Sequence, residues 1–105
     1  MVVAVDRFLT KISNDGEGLR GYNSIIQFYF KDIDETVNVS FEGTSASLIE
    51  GVEHPACKIV VSTQNFEKLT NGQLNPQTAF LMGKLKAKGD MSHLLKLSQI
   101  LSYYA

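Results

Sequence analysis

The residues able to do covalent or metal chemistry are few and scattered. His54 and Cys57 lie three apart, and His93 is the only other histidine. A zinc site needs three or four ligands in one place, so this pair is short of a site and Cys57 reads as a small buried side chain. Asp32, Asp34 and Glu35 cluster. Paired catalytic carboxylates need a cleft around the bond they cleave, and a solvated hairpin turn accounts for these three more simply. The serines fall in capping and strand contexts, without the strand–turn–helix elbow G-x-S-x-G that exposes a nucleophile. Gly16-Glu17-Gly18-Leu19-Arg20-Gly21 matches G-x-G-x-x-G letter for letter. A dinucleotide fingerprint follows a strand and opens a helix. Here a helix precedes and a strand follows, so the segment reads as a connector. The expectation is a chain that is not an enzyme, with no cofactor and no metal.

Composition narrows the partners. The chain has 105 residues and a net charge of −1, without the basic footprint that nucleic-acid binding requires. One cysteine allows no internal disulfide, which suits a reducing compartment. Asp6 and Arg7 break the apolar start too early for a secretory signal, no run approaches the ~18 apolar residues of a membrane span, and no terminal S-K-L is present. These features predict a single domain over 1–105 and a cytoplasmic location.

What the chain has in surplus is apolar surface, with hydrophobic residues at 44%. Residues 2–12 read as an amphipathic helix with Val5, Phe8, Leu9 and Ile12 on one face. Residues 25–31 and 36–42 alternate, placing Ile26, Phe28 and Phe30, then Val37, Val39 and Phe41, on one side of a sheet. A weaker strand spans about 44–50, and another runs from Cys57 to Ser62. Ser62 or Thr63 caps a short helix that carries Phe66 and Leu69 and ends at Gly72. Asn75-Pro76 starts a second short helix with Ala79, Phe80, Leu81 and Met82, which Gly83 stops. Lys84–Lys88 alternate as a last strand, and Gly89-Asp90 lead into a helix over about 91–103. Short connections between consecutive strands predict an α+β fold with a mainly antiparallel sheet.

The last helix spreads Met91, Leu94, Leu95, Leu97, Ile100, Leu101 and Tyr104 over roughly 220° of its circumference, whereas packing on one sheet needs a stripe of only ~100°. The extra width has to meet another helix, a second subunit or a lipid. The two short helices before it are too brief to be stable alone and could form a lid that opens easily.

The same residues carry a family likeness. The stretch from Asn65 to Met91, with Phe66, Leu69, Gly72, Asn75-Pro76, Ala79-Phe80, Gly83-Lys84-Leu85 and Gly89-Asp90-Met91 as its markers, resembles the signature of the sterol carrier protein type-two family. The strand Ala56–Val61 and the end Leu94-Leu95-Lys96-Leu97 also fit. The resemblance covers about 56–101, and the rest agrees by element order. It implies a five-stranded, mostly antiparallel sheet with helices on one face and an apolar tunnel between them. It also implies binding, and possible intracellular transfer, of a fatty acid, acyl-CoA or sterol or isoprenoid lipid, without chemistry. The expected ligand-lining residues are Phe28, Phe30, Val39, Phe66, Leu69, Phe80, Met82, Met91, Leu94, Leu95 and Leu101, with Gln77 or Ser98 as polar candidates for a headgroup. Lys84, Lys86 and Lys88 either solvate an edge strand or touch an anionic membrane transiently. The competing reading is a protein-interaction module, homodimeric or heteromeric, that uses the apolar last helix and holds no lipid.

Overall fold

The computed structural model describes residues 2–105. The alternating segments become β1 (Asn23–Phe30) and β2 (Glu35–Glu42), an antiparallel hairpin with Phe28 opposite Val37 and Ile26 opposite Val39. The weak strand is short: β3 (Ala46–Ile49) pairs antiparallel with Asn38–Phe41. β4 (Cys57–Val61) lies on the far side of β1 and runs parallel to it, and β5 (Leu85–Gly89) closes the other edge antiparallel to β4. The order is therefore β3-β2-β1-β4-β5. Three of its four pairings are antiparallel. The parallel one arises because the chain leaves the edge strand β3 and crosses the sheet before re-entering beside β1, where the Ala56 N–H meets the Ile25 carbonyl at 2.9 Å.

One face of this sheet is buried. Ile26, Phe28, Phe30, Val39, Phe41, Cys57, Ile59, Val61 and Leu85 all point to it. The intervening residues, among them Gln27, Asn38, Lys58, Lys86 and Lys88, lie on the other side and are exposed or half-buried. The helices cover the apolar face: α1 (Val3–Asn14), α2 (Thr63–Thr70), α3 (Pro76–Leu81) and α4 (Ser92–Tyr104). The amphipathic first helix buries Ala4, Val5, Phe8 and Ile12, as its spacing requires.

The caps explain the short helices. Ser62 accepts from the Asn65 N–H at 3.1 Å to start α2. Asn75 accepts from the N–H groups of Gln77 and Thr78 at 2.8 and 3.3 Å, and Pro76 takes the first helical position of α3. Gly83, at φ +74°, ends α3 by letting the Lys84 N–H reach back to the Ala79 carbonyl at 2.9 Å. Gly89, at φ +108°, approaches the Ala56 carbonyl so closely that a Cβ there would clash. The Asp90 carboxylate then accepts from the Ser92 N–H at 2.9 Å and fixes the start of α4. This bond holds the Asp90 carboxyl below the ordinary carboxylate value.

One element departs from expectation. Gly16–Leu19, read as open connector, forms a turn of 3₁₀ helix with Leu19 fully buried. Asp15 caps it by accepting from the Glu17 N–H. The same carboxylate accepts from the Tyr103 hydroxyl at 2.6 Å, and the Tyr104 hydroxyl donates to the Asp15 backbone carbonyl. The Lys11 ammonium donates to the Tyr104 carbonyl at 2.8 Å. The end of α4 is thus bound to the end of α1 and to the 3₁₀ turn, with both tyrosine rings pressed on Gly18.

Candidate functional site

The eleven expected ligand-lining residues separate into two groups. Phe28, Phe30, Val39, Phe66, Leu69, Leu94 and Leu101 converge in the core between sheet and helices. At its centre the α2 ring of Phe66 stands edge-on to Phe28 and Phe30 of β1, with centroids 5.3 Å apart in each case. Phe28 and Phe30 stack at 6.5 Å. No charged side chain is buried with them among the described residues. Phe80, Met82, Met91 and Leu95, by contrast, face outward, between 38 and 59% exposed.

The division follows from helix geometry. A six-residue helix offers one buried stripe, and α3 uses Pro76 and Ala79 for it, leaving Phe80 at the edge of that stripe and Leu81 on the opposite side. In α4 the buried residues Leu94, Leu97, Ser98, Ile100, Leu101 and Tyr104 cover about 160° of the circumference at 3.6 residues per turn. Most of the wide apolar arc is therefore met by the domain itself, because α4 touches α1, α2, α3 and the 3₁₀ turn. Met91 and Leu95 fall just past the edge of that arc. What remains open is a strip on adjoining elements: Phe80, Leu81 and Met82 at the end of α3, and Met91 and Leu95 at the start of α4. Leu81, absent from the expected set, is 84% exposed, more than any other large apolar residue described.

A small cavity of about 80 Å³ is lined by Leu69, Gly72, Leu74, Asn75, Pro76, Ser98, Leu101 and Ser102, at the opposite end of α3 from Leu81 and Met82. It sits where α2, α3 and α4 meet. Ser98, a candidate for a headgroup, is buried, and its hydroxyl accepts from the Asn75 side-chain amide at 3.1 Å. Gln77 is exposed at the start of α3. The start of α4 is tied to the turn before β1, where the Tyr22 hydroxyl and His93 Nδ1 lie 2.6 Å apart. Burial pushes the Tyr22 hydroxyl and the Cys57 thiol up from their ordinary pKa values. Cys57 is a free, buried thiol inside the sheet.

This arrangement of an aromatic core, a four-helix cover and a mixed five-stranded sheet has known counterparts. The family model for the SCP-2 sterol transfer family matches residues 5–102. The chain belongs to that family. Sterol carrier protein 2 of Homo sapiens is 30% identical over 96 residues, which is 86% of this chain and 18% of the relative. The chain therefore spans less than a fifth of the length of that curated relative. Among solved structures, Sterol Carrier Protein 2 Like 2 from Aedes aegypti superposes with a TM-score of 0.73 at 18% identity, covering 92% of each chain. The solution structure of palmitated SCP2L2 from the same organism gives 0.72 at 18% identity, covering 96% of this chain and 95% of that one. The fold of the SCP-2 family and its general association with lipid binding or transfer thus apply to this chain. No described helix is long and apolar enough to cross a membrane.

Proposed function

We propose that the chain binds a lipid of the acyl-chain class, a fatty acid or acyl-CoA, in the space between β1 and the cover formed by α2 and α3, and carries it without chemically altering it. Sterol or isoprenoid ligands would need more volume from the same place. The observation that carries this reading is the apolar surface left open at Phe80, Leu81, Met82, Met91 and Leu95 in a chain of the SCP-2 family with an aromatic core. The palmitated state of the Aedes aegypti protein of the same fold supports an acyl chain.

Loading requires movement of the cover. The cavity of about 80 Å³ beneath α3 is well short of the ~300 Å³ at which ligand pockets begin. α3 has six residues and is bounded by Gly72 and Gly83, so it can lift as a unit. Lifting it opens an apolar tunnel along Phe66, Leu69, Leu94 and Leu101 towards Phe28, Phe30 and Val39, while Phe80, Met82, Met91 and Leu95 turn inward against the ligand. Each methylene that leaves water for this interior contributes ~0.8 kcal/mol, enough for a long chain to offset the lost helix contacts. Lys84, Lys86 and Lys88 touch an anionic membrane surface during exchange.

Organic extraction of the purified protein followed by lipid mass spectrometry, together with displacement of a fluorescent fatty acid, tests the proposal. A co-purified acyl lipid and saturable displacement are expected. Recovery of no lipid, no displacement and an empty dimer in native mass spectrometry would instead assign the strip to pairing between subunits.

A further inference from the structure

Charge is distributed unevenly along this chain. Ten of its eleven acidic residues precede Lys68, whereas Lys68, Lys84, Lys86, Lys88 and Lys96 all fall in the remainder. Residues 68–105 therefore carry a net charge of +4 and residues 1–67 a net charge of −5. The one acid after Glu67 is Asp90, whose carboxylate is engaged by the Ser92 N–H. Among the described residues the ion pair is Arg7–Glu67, in which Lys84, Lys86 and Lys88 take no part. Lys88 stands opposite Lys58 across the β4–β5 pair, and both point to the open face of the sheet. Like charges directly opposite in a sheet are destabilising, so an external anionic partner would relieve a cost the fold already carries.

The exposed apolar strip lies in this positive part. Leu81 and Met82 are 84 and 59% exposed and lead directly into Gly83 and Lys84. The bond from the Lys84 N–H to the Ala79 carbonyl folds that corner tightly. Lys86 and Lys88 follow on the edge strand, both exposed. Flexible apolar side chains followed at a tight corner by charges of one sign suit the boundary between headgroups and acyl chains. A protein partner would ordinarily meet a rim of mixed polarity.

We propose that the corner joining α3 to β5 is a membrane anchor: Leu81 and Met82 enter the acyl region of an anionic bilayer, and Lys84, Lys86 and Lys88 hold its headgroups. The lysines of β5, with Lys58 beside them on β4, favour this edge of the sheet in an encounter with an anionic surface. The proposal deepens the lysine contact suggested above and rests on that part of the reading. It does not depend on a ligand in the core.

The chain has no tryptophan, so Leu81→Trp introduces a lone indole reporter. With phosphatidylcholine vesicles containing phosphatidylserine, its emission should shift to the blue and be quenched by brominated acyl chains. Leu48→Trp, at a 39% exposed position on the opposite edge strand β3, should do neither. Each lysine near an anionic surface contributes about five-fold in partitioning, so K84Q/K86Q/K88Q should weaken vesicle binding by about a hundred-fold. Affinity for a fluorescent fatty acid in solution should be unchanged in that triple variant. Absence of a blue shift at position 81, equal quenching at position 48, or a triple variant that binds vesicles like the parent would overturn the anchor. Loss of fatty-acid binding in the parent, with vesicle insertion intact, would overturn the ligand reading and leave the anchor standing.

Discussion

Phe66→Ala is the most informative single change. Phe66 is 1% exposed and makes both edge-to-face contacts that join α2 to β1. Truncating a buried phenylalanine costs about 3–5 kcal/mol through lost transfer energy and residual cavity. A domain of this size holds roughly 5–15 kcal/mol in total. At a urea m-value of about 1.5 kcal/mol/M the unfolding midpoint should fall by about 2–3 M, followed by circular dichroism or tyrosine fluorescence. Phe41 gives the matched control. It is equally buried, but its ring contacts are Phe8 and Tyr22, at 6.4 and 5.5 Å, in another part of the core. Phe41→Ala should lose comparable stability and leave fluorescent fatty-acid affinity within about two-fold, whereas Phe66→Ala should change that affinity at least about ten-fold, the equivalent of 1.4 kcal/mol. A midpoint shift below about 1 M would refute the packing account. Equal effects of the two variants on affinity would refute the placement of the ligand beside Phe66.

Three further outcomes follow from geometry already described. Asn75→Ala removes the cap of α3 and its bond to Ser98; a loss of about 1 kcal/mol is expected, with faster hydrogen exchange at the Ala79 amide than at amides of β1. Gly89→Ala forces a Cβ towards the Ala56 carbonyl at φ +108° and should cost about 1–3 kcal/mol, while Gly83→Ala, with open space around it, should cost nearer about 1 kcal/mol; thermal unfolding of both ranks them. Asp15 is held below its ordinary value of 3.8 by bonds from the Tyr103 hydroxyl and the Glu17 N–H. A depressed carboxyl contributes stability above its unfolded value, and this is lost as pH falls through the folded value. Thermal midpoints of Tyr103→Phe and the parent should therefore differ above pH 4 and converge in stronger acid.

Much of this architecture is legible in the residue order because local signals agree with one another. Period-two runs mark β1 and β2, Asn75-Pro76 marks α3, and Gly89-Asp90 marks the start of α4. The parallel pairing of β1 with β4 is not legible, since it depends on how the chain from Glu50 to Ala56 crosses the sheet. The 3₁₀ turn at Gly16–Leu19 is hidden because three glycines around one leucine carry no periodicity. Its order comes from tyrosines at the far end of the chain. The candidate site is half legible. Seven of its residues sit on faces that alternation or helical spacing predicts to be inward. The outward setting of Phe80, Met82, Met91 and Leu95 depends on which stripe of a short helix its neighbours occupy, and spacing alone leaves that choice open.

The union of Lys11 and Asp15 with Tyr103 and Tyr104 makes the first and last helices interdependent. Weakening either side should let both fray together, so a label or fusion placed near one would report on the other. With its start held through His93 and Asp90 as well, α4 is fastened at both ends. Motion that admits a guest would then fall to α3, like a hatch opening in a fixed frame.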